Sequence, residues 1–252
     1  MTSAAPRTAL VTGASTGIGR EIAIAMARAG YDLAITARDA RGALADVAKD
    51  PAFAGRRVVP VALDQRDEAS IAAAFAAAVA GLGTIDVLVN NAARALIRPI
   101  VETTWAEWND VTDTNLRGVF FISQQFARHC IANKRPGAIV GISSTHARAA
   151  LAGRSVYGIA KAGLEQMSRY MAIEWADAGI RVNVVAPTTV MTPSRDAALK
   201  DPQQRQKMLS RIPLRRFPDA SEVADAVIYL AGPSATSITG HVLMVDGGLT
   251  AE

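Results

Sequence analysis

Tyr157 and Lys161, within Tyr157-Gly158-Ile159-Ala160-Lys161, are the pair of side chains best suited to do chemistry here. Gly153 and Ser155 read as the start of a helix that runs down to Gly179. Four residues make about one helical turn, so both side chains project from one face. A free tyrosine loses its proton near pH ~10, too high for acid–base work at neutrality. An ammonium within ~4–6 Å lowers that value. A tyrosine tuned this way passes a proton to and from a carbonyl or alcohol oxygen near pH 7. Taken alone, such a pair is far more often a solvated aromatic beside a snorkelling amine.

Other residues give the pair its meaning. Ser144 stands thirteen positions before Tyr157, after the apolar run Ala138-Ile139-Val140-Gly141-Ile142. That places a hydroxyl at the carboxyl end of a strand, where ligands of open α/β sheets lie. Near the start, the short apolar run at 8–12 reads as a buried parallel strand. It leads into Gly13-Ala14-Ser15-Thr16-Gly17-Ile18-Gly19 and then a helix with Ile22, Met26 and Ala29 on one stripe. A glycine-rich turn between strand and helix lets backbone N–H groups approach a pyrophosphate at the positive helix end.

In this order, the Thr-Gly-x-x-x-Gly-x-Gly loop, Asn90-Asn91-Ala92, Asn115, Ser144, Tyr157 and Lys161 resemble the short-chain dehydrogenase/reductase family, over about residues 7–248. The resemblance implies one doubly wound α/β domain of Rossmann type, with a seven-stranded parallel sheet flanked by helices. It implies an oxidoreductase that interconverts a ketone and a secondary alcohol. Ser144 would hold the carbonyl and Tyr157 would supply the proton. Lys161 would tune Tyr157 and bind the nicotinamide ribose, and Asn115 would anchor a water in the proton relay. Gly13, Ser15, Thr16, Gly17, Ile18, Gly19, Arg38, Asp64, Asn91, Ala92, Pro187, Val190 and Thr192 would line the cofactor, together with Tyr157 and Lys161. Two positions depart from the family pattern: Ala93 and Thr188 stand where glycine is usual.

The second strand, 32–36, ends at Ala37-Arg38-Asp39. An acidic side chain at that tip would bind the ribose hydroxyls and repel a 2′-phosphate. Ala37 removes the repulsion and Arg38 is a natural phosphate clamp, so NADP(H) is favoured, with NAD(H) as the alternative. Asp39 reads as the cap of a helix at 41–49 and Ser221 as the cap of the last helix. Asp64 is either an adenine contact or the cap of the next helix. Asn115 lies mid-helix in the region 105–133, where an asparagine distorts the hydrogen-bond ladder.

Arg94, His146, Arg148 and Arg154 make the expected pocket basic and favour an anionic substrate. The closing segment 238–248 resembles both 3-oxoacyl-thioester reductases and sugar or polyol dehydrogenases. A reading of another class is a non-catalytic NADP(H) sensor or scaffold.

The chain has 252 residues, half of them apolar, and a net charge of +4. Such a length suits one domain, here 1–252, with a substrate lid over 191–219, a stretch that lacks a clear sheet element. No run of five like charges points to nucleic acid. The single cysteine, Cys130, excludes an internal disulfide and a cysteine-based metal site, and reads as a buried inert thiol. Residues 1–8 are too short and too polar for a signal peptide, and no apolar run spans a membrane. A cytoplasmic protein is the expectation. The helix after Tyr157 is apolar on more than one side, which suggests a dimer or homotetramer.

Overall fold

In the computed structural model, seven strands form a single sheet: β1 (Thr8–Val11), β2 (Asp32–Ala37), β3 (Val58–Ala62), β4 (Val87–Asn90), β5 (Gly137–Ile142), β6 (Ile180–Pro187) and β7 (Val242–Val245). Their order is β3-β2-β1-β4-β5-β6-β7 and every pairing is parallel. The structure describes residues 7–251. Residues 1–6, which hold most of the stretch judged against a signal peptide, and Glu252 lie outside the described residues.

Alternation along the strands divides the core in two, because successive side chains point to opposite faces. Ala9, Val11, Val87, Val89 and Val140 pack on one side with Ile22 and Met26 of α1 (Gly17–Arg28) and Leu44 of α2 (Ala43–Ala48). Leu10, Leu88 and Ile139 pack on the other. There they meet α3 (Glu68–Leu82) and α5 (Gly118–Ala132), the latter through Ile122 and Phe126, while Val111 of α4 (Trp105–Thr112) packs apart with Val156 and Ala160. Met171 and Ala172 of α6 (Ser155–Glu174) complete that layer. Truncating a fully buried Leu10 or Leu88 to alanine costs about 2–5 kcal/mol. Cys130 is also here, 1 % exposed, and burial pushes its thiol up to about 11.

The last crossover carries α7 (Pro193–Ala198), α8 (Pro202–Leu209) and α9 (Ala220–Ala231). α9 returns to the first face, where Val223, Val227 and Leu230 are buried beside α1. Segment 191–219 is two short helices around a small core of Leu199, Ile212 and Phe217, tied at its ends by a parallel bridge from Met191 to Asp219.

Three expectations about element ends need correction. Asp219, not Ser221, caps α9, in a capping box with Glu222. Asp39 accepts from the Arg41 N–H in a local turn, and Gly42 stands at the start of α2. The helix after Tyr157 stops at Glu174, and one 3-10 turn, Ala176–Ala178, carries the chain to Gly179 in the left-handed conformation. Among the described residues no helix is long and apolar enough to cross a membrane.

Candidate active site

The site is built where β1, β4 and β5 end. Thr12 knits the first two: its Oγ accepts from the Asn91 and Ala92 N–H groups, each at 3.0 Å. Asn91 answers by donating its amide to the Thr12 and Gly13 carbonyls at 2.9 and 3.0 Å. These bonds fix the turn 13–16 and the first residues of α1. Gly17 sits at φ +57°, a conformation that L side chains rarely adopt. Gly19 is held by close approach instead, because a Cβ there would lie 2.2 Å from the Gly13 carbonyl oxygen and 2.3 Å from Asn91 Nδ2. Thr16 places no side chain on the first-turn N–H groups of α1, so this positive helix end is left to a ligand.

A cavity of about 500 Å³ opens over this loop. Gly13, Ser15, Thr16, Gly17, Ile18 and Gly19 line it, together with Arg38, Asp64, Asn91, Ala92 and Thr192. Gln65 lines it too, and its Oε1 is a buried acceptor without a partner. A free helix N-terminus, a lining guanidinium and an orphaned acceptor fit an anionic dinucleotide. Pro187 ends β6 outside this cavity, and the Val190 side chain is buried in the core beside α1 and α9. Asp64 does not cap α3; Asp67 does. Asp64 is held by Arg66, whose guanidinium hydrogen bonds bring its carboxyl down to about 2. Neither Ala93 nor Thr188 adopts a positive φ, so the two departures from glycine leave the backbone unstrained.

Ser144, Tyr157 and Lys161 meet beside the end of β5. Ser144 comes two residues after β5, near enough to the Tyr157 phenol to favour its charged form. Tyr157 and Lys161 rise one turn apart on α6, with the Lys161 Nζ 5.7 Å from the tyrosine ring centre. The Lys161 ammonium donates to the Ile142 carbonyl at 2.6 Å, and burial brings its pKa down to about 8. The expectation that this ammonium lowers the Tyr157 pKa is corrected by the structure. Burial raises the phenol above its usual value, and the Ser144 hydroxyl and the fields of Arg154 and Arg195 oppose that rise. At neutral pH, Tyr157 therefore holds its proton and can give it away.

Asn115 lies in a π turn, Asp113–Arg117, between α4 and α5, so the expected distortion is a wide helical turn. Its side chain accepts from the Arg94 N–H at 2.7 Å and donates to the Arg94 carbonyl at 2.9 Å. The amide thus pins the loop after β4 to the helix.

The basic lining expected from sequence is half cancelled. Arg94 is paired with Asp110, and Arg148 with Glu165. Asp110 also accepts from Arg66 at 2.9 Å, which extends a chain of alternating charges along the cavity rim. His146 stands edge-on to Tyr157, ring centres 6.1 Å apart, and burial lowers its pKa. Sequence reading passed over Glu165, which is 5 % exposed and accepts from the Ser143 hydroxyl at 3.1 Å. The signal was present: Tyr157, Lys161 and Glu165 repeat the four-residue step along one helix face.

Comparison with known proteins gives concordant results. A family model described as enoyl-(acyl carrier protein) reductase matches residues 13–250. The chain is 39% identical to L-xylulose reductase of Bos taurus over 98% of both chains. It is 35% identical to 3-oxoacyl-[acyl-carrier-protein] reductase of Staphylococcus aureus, over 96% of this chain and 98% of that one. A Sinorhizobium meliloti structure described as a short-chain alcohol dehydrogenase superposes with a TM-score of 0.93 at 39% identity, covering 98% and 97% of the two chains. An Agrobacterium tumefaciens structure assigned to 2-deoxy-D-gluconate 3-dehydrogenase, with bound NADP, gives 0.88 at 34% identity over the same shares.

Proposed function

Because this chain belongs to the short-chain dehydrogenase/reductase family and is an oxidoreductase, we propose that it reduces a small hydroxylated ketone to a secondary alcohol with NADPH, and runs in reverse with NADP⁺. The Ser144–Tyr157–Lys161 cluster beside the glycine-loop cavity carries this reading. When bound, the nicotinamide supplies or accepts the hydride.

The protein's own groups supply position and the proton. Ser144 donates a hydrogen bond to the substrate carbonyl oxygen and sets its orientation. As hydride reaches carbon, the carbonyl π pair moves to oxygen and that oxygen takes the Tyr157 proton. Lys161, its ammonium 5.7 Å from the tyrosine ring centre, faces the phenolate as it forms and binds the nicotinamide ribose. Asn115 holds the π turn beside Arg94, and the water of the proton relay belongs at this turn. Gly13, Ser15, Thr16, Gly17, Ile18 and Gly19 cradle the pyrophosphate. Asn91, Ala92, Pro187, Val190 and Thr192 serve the nicotinamide half, the last three through the backbone or the segment that follows β6. Asp64 serves the adenine, and Arg38 with Ala37 at the tip of β2 favours the 2′-phosphate over the bare ribose.

Kinship to L-xylulose and D-erythrulose reductases supports a ketose as substrate. The 3-oxoacyl thioester remains the second reading, supported by the 35% identity to its reductase. The sensor reading loses its motive, because the two unusual positions are unstrained. We place the enzyme in the cytoplasm as a homotetramer, with segment 191–219 as the lid over the substrate. The deciding experiment follows NADPH and NADH consumption with xylulose, erythrulose and an acetoacetyl thioester. Rapid turnover of a ketose with NADPH is expected. Turnover of the thioester alone would reverse the substrate assignment, and faster turnover with NADH would reverse the cofactor assignment.

A further inference from the structure

Ser144 and His146, the two groups beside Tyr157, belong to one short turn. Ser144 opens the 3-10 turn Thr145–Ala147 and accepts the His146 N–H on its own hydroxyl at 3.3 Å, and Arg148 closes it. The turn rests on α6 where Gly158 leaves room, since a Cβ there would lie 2.8 Å from the His146 carbonyl oxygen. One carboxylate holds both of its ends. At the near end the Ser143 hydroxyl donates to Glu165 Oε1 at 3.1 Å and also reaches the Lys161 carbonyl at 3.3 Å. At the far end Arg148 Nε donates to Glu165 Oε2 at 3.4 Å. Glu165 stands one turn beyond Lys161 on α6.

Burying a carboxylate costs free energy unless its oxygens are hydrogen-bonded. The Glu165 side chain is 6 % exposed, and an apolar side chain of its size would avoid that cost. Each of its oxygens instead has its own partner, and the two partners bracket Ser144 in the sequence. Ser143 is also tied to the sheet, its N–H donating to the Val185 carbonyl of β6 at 2.8 Å. The carboxylate therefore joins the end of β5, the turn that bears Ser144, and the helix that bears Tyr157 and Lys161. Lys161 makes a neighbouring tie to the Ile142 carbonyl of β5. Glu165 reaches past Ser144 to the far side of the turn.

We propose that Glu165 is a positioning residue, which staples the turn 143–148 to α6 and so sets the Ser144 hydroxyl against the Tyr157 phenol. This rests on the ketone-reductase reading of the preceding subsection, in which those two groups share the carbonyl oxygen. Glu165 does not line the cofactor cavity, so its effect reaches the reaction through Ser144. A carbonyl oxygen held by two donors needs both to converge on it, and a misplacement of about 1 Å costs about a hundredfold in rate.

Glu165→Leu removes both ties, whereas Glu165→Gln keeps an acceptor for Ser143 and gives up the ion pair. With NADPH and a ketose, kcat should fall about a hundredfold in Glu165→Leu and about tenfold in Glu165→Gln, with Kd for NADPH within about threefold of the parent. Added to Ser144→Ala, Glu165→Leu should cost less than about threefold, because the group it positions is already gone. A full further loss in that background would mean a general structural role and overturn the proposal. Unchanged kcat in Glu165→Leu would overturn it as well, as would a loss carried by NADPH affinity. Should Glu165→Leu not fold, the isosteric Glu165→Gln carries the same comparisons at about tenfold. A parent that reduces no ketone would sink the reductase reading, and amide hydrogen exchange would then decide the staple. The Ala147, Arg148 and Ala149 N–H groups bond to the Ser144 and Thr145 carbonyls within the turn. They should exchange about tenfold faster in Glu165→Leu, with the amides of β5 and β6 unmoved. Equal protection in variant and parent would overturn the proposal.

Discussion

Lys161 is 3 % exposed, with its ammonium on the Ile142 carbonyl, and its pKa falls from 10.5 to about 8 through burial. In the unfolded chain the same amine keeps its proton to about 10.4. Between these values the unfolded state binds more protons, so this lysine makes stability rise with pH from about 8 to about 10.5. Below pH 8 both states carry the charge and the full burial penalty applies, on the order of 3 kcal/mol as an upper bound. Lys161→Met should therefore gain stability at pH 7 relative to the parent, and that gain should shrink by pH 10. Urea melts at pH 7, 8.5 and 10 test this, and parallel curves would show that the site is solvated. The residue that chemistry needs is one the fold tolerates at a loss. Tyr157→Phe removes only the transferable proton, so kcat should drop at least about a thousandfold while the Kd for NADPH, read by fluorescence, changes less than about threefold. Retained turnover would remove Tyr157 from the acid role.

The glycine loop and the tip of β2 act as elements, each through backbone placement. Gly19→Ala would drive a methyl into the Gly13 carbonyl and the Asn91 amide at once. The loop and the end of β4 are bonded together there, so the change should weaken NADPH binding by about a hundredfold or more, with the sheet intact by circular dichroism. Unchanged affinity would mean that the loop is not the phosphate cradle. At β2, Ala37→Asp adds the acid that a 2′-phosphate would meet, and the NADPH-to-NADH ratio of kcat/KM should fall by about 10- to 100-fold. An unmoved ratio would relocate the phosphate away from Arg38. Elements such as these were legible because they are local: apolar runs marked the strands and the glycine spacing marked the loop. The four-residue step marked the face of α6. The caps were misassigned at Asp39 and Ser221, since several acids and hydroxyls crowd each helix start and only geometry selects one. The pairings of Arg94 with Asp110 and Arg148 with Glu165 have no sequence signature at all. Their partners are sixteen and seventeen residues away, a spacing set by how α4 and α6 pack. The direction of the Lys161 amine, toward a strand carbonyl, was hidden for the same reason.

At the scale of the molecule, the sheet order follows from alternating strands and helices, and the seven-stranded expectation holds. What is left uncovered is on the outer helices. Phe120 and Phe121 of α5 are 43 % and 38 % exposed, and Ile159, Tyr170 and Ile173 of α6 are exposed as well. Large apolar groups left in water on neighbouring crossovers are the surface that the proposed homotetramer would bury. The 26.4 kDa chain should therefore sediment near four times that mass. Phe121→Asp or Ile173→Asp should shift it toward smaller species; a monomeric parent in ultracentrifugation would refute the surface.

Cys130 lies one residue-layer below that outer face, sealed against Phe126 and the Gly137 backbone. It is the sole thiol in the sequence, and its depth keeps it from thiol-directed dyes. The native chain is thus already a blank background for optical labelling. A cysteine substituted at exposed Gln203 on α8 would take a fluorophore at that one place, without first engineering any native thiol away. Movement of segment 191–219 could then be timed directly against turnover.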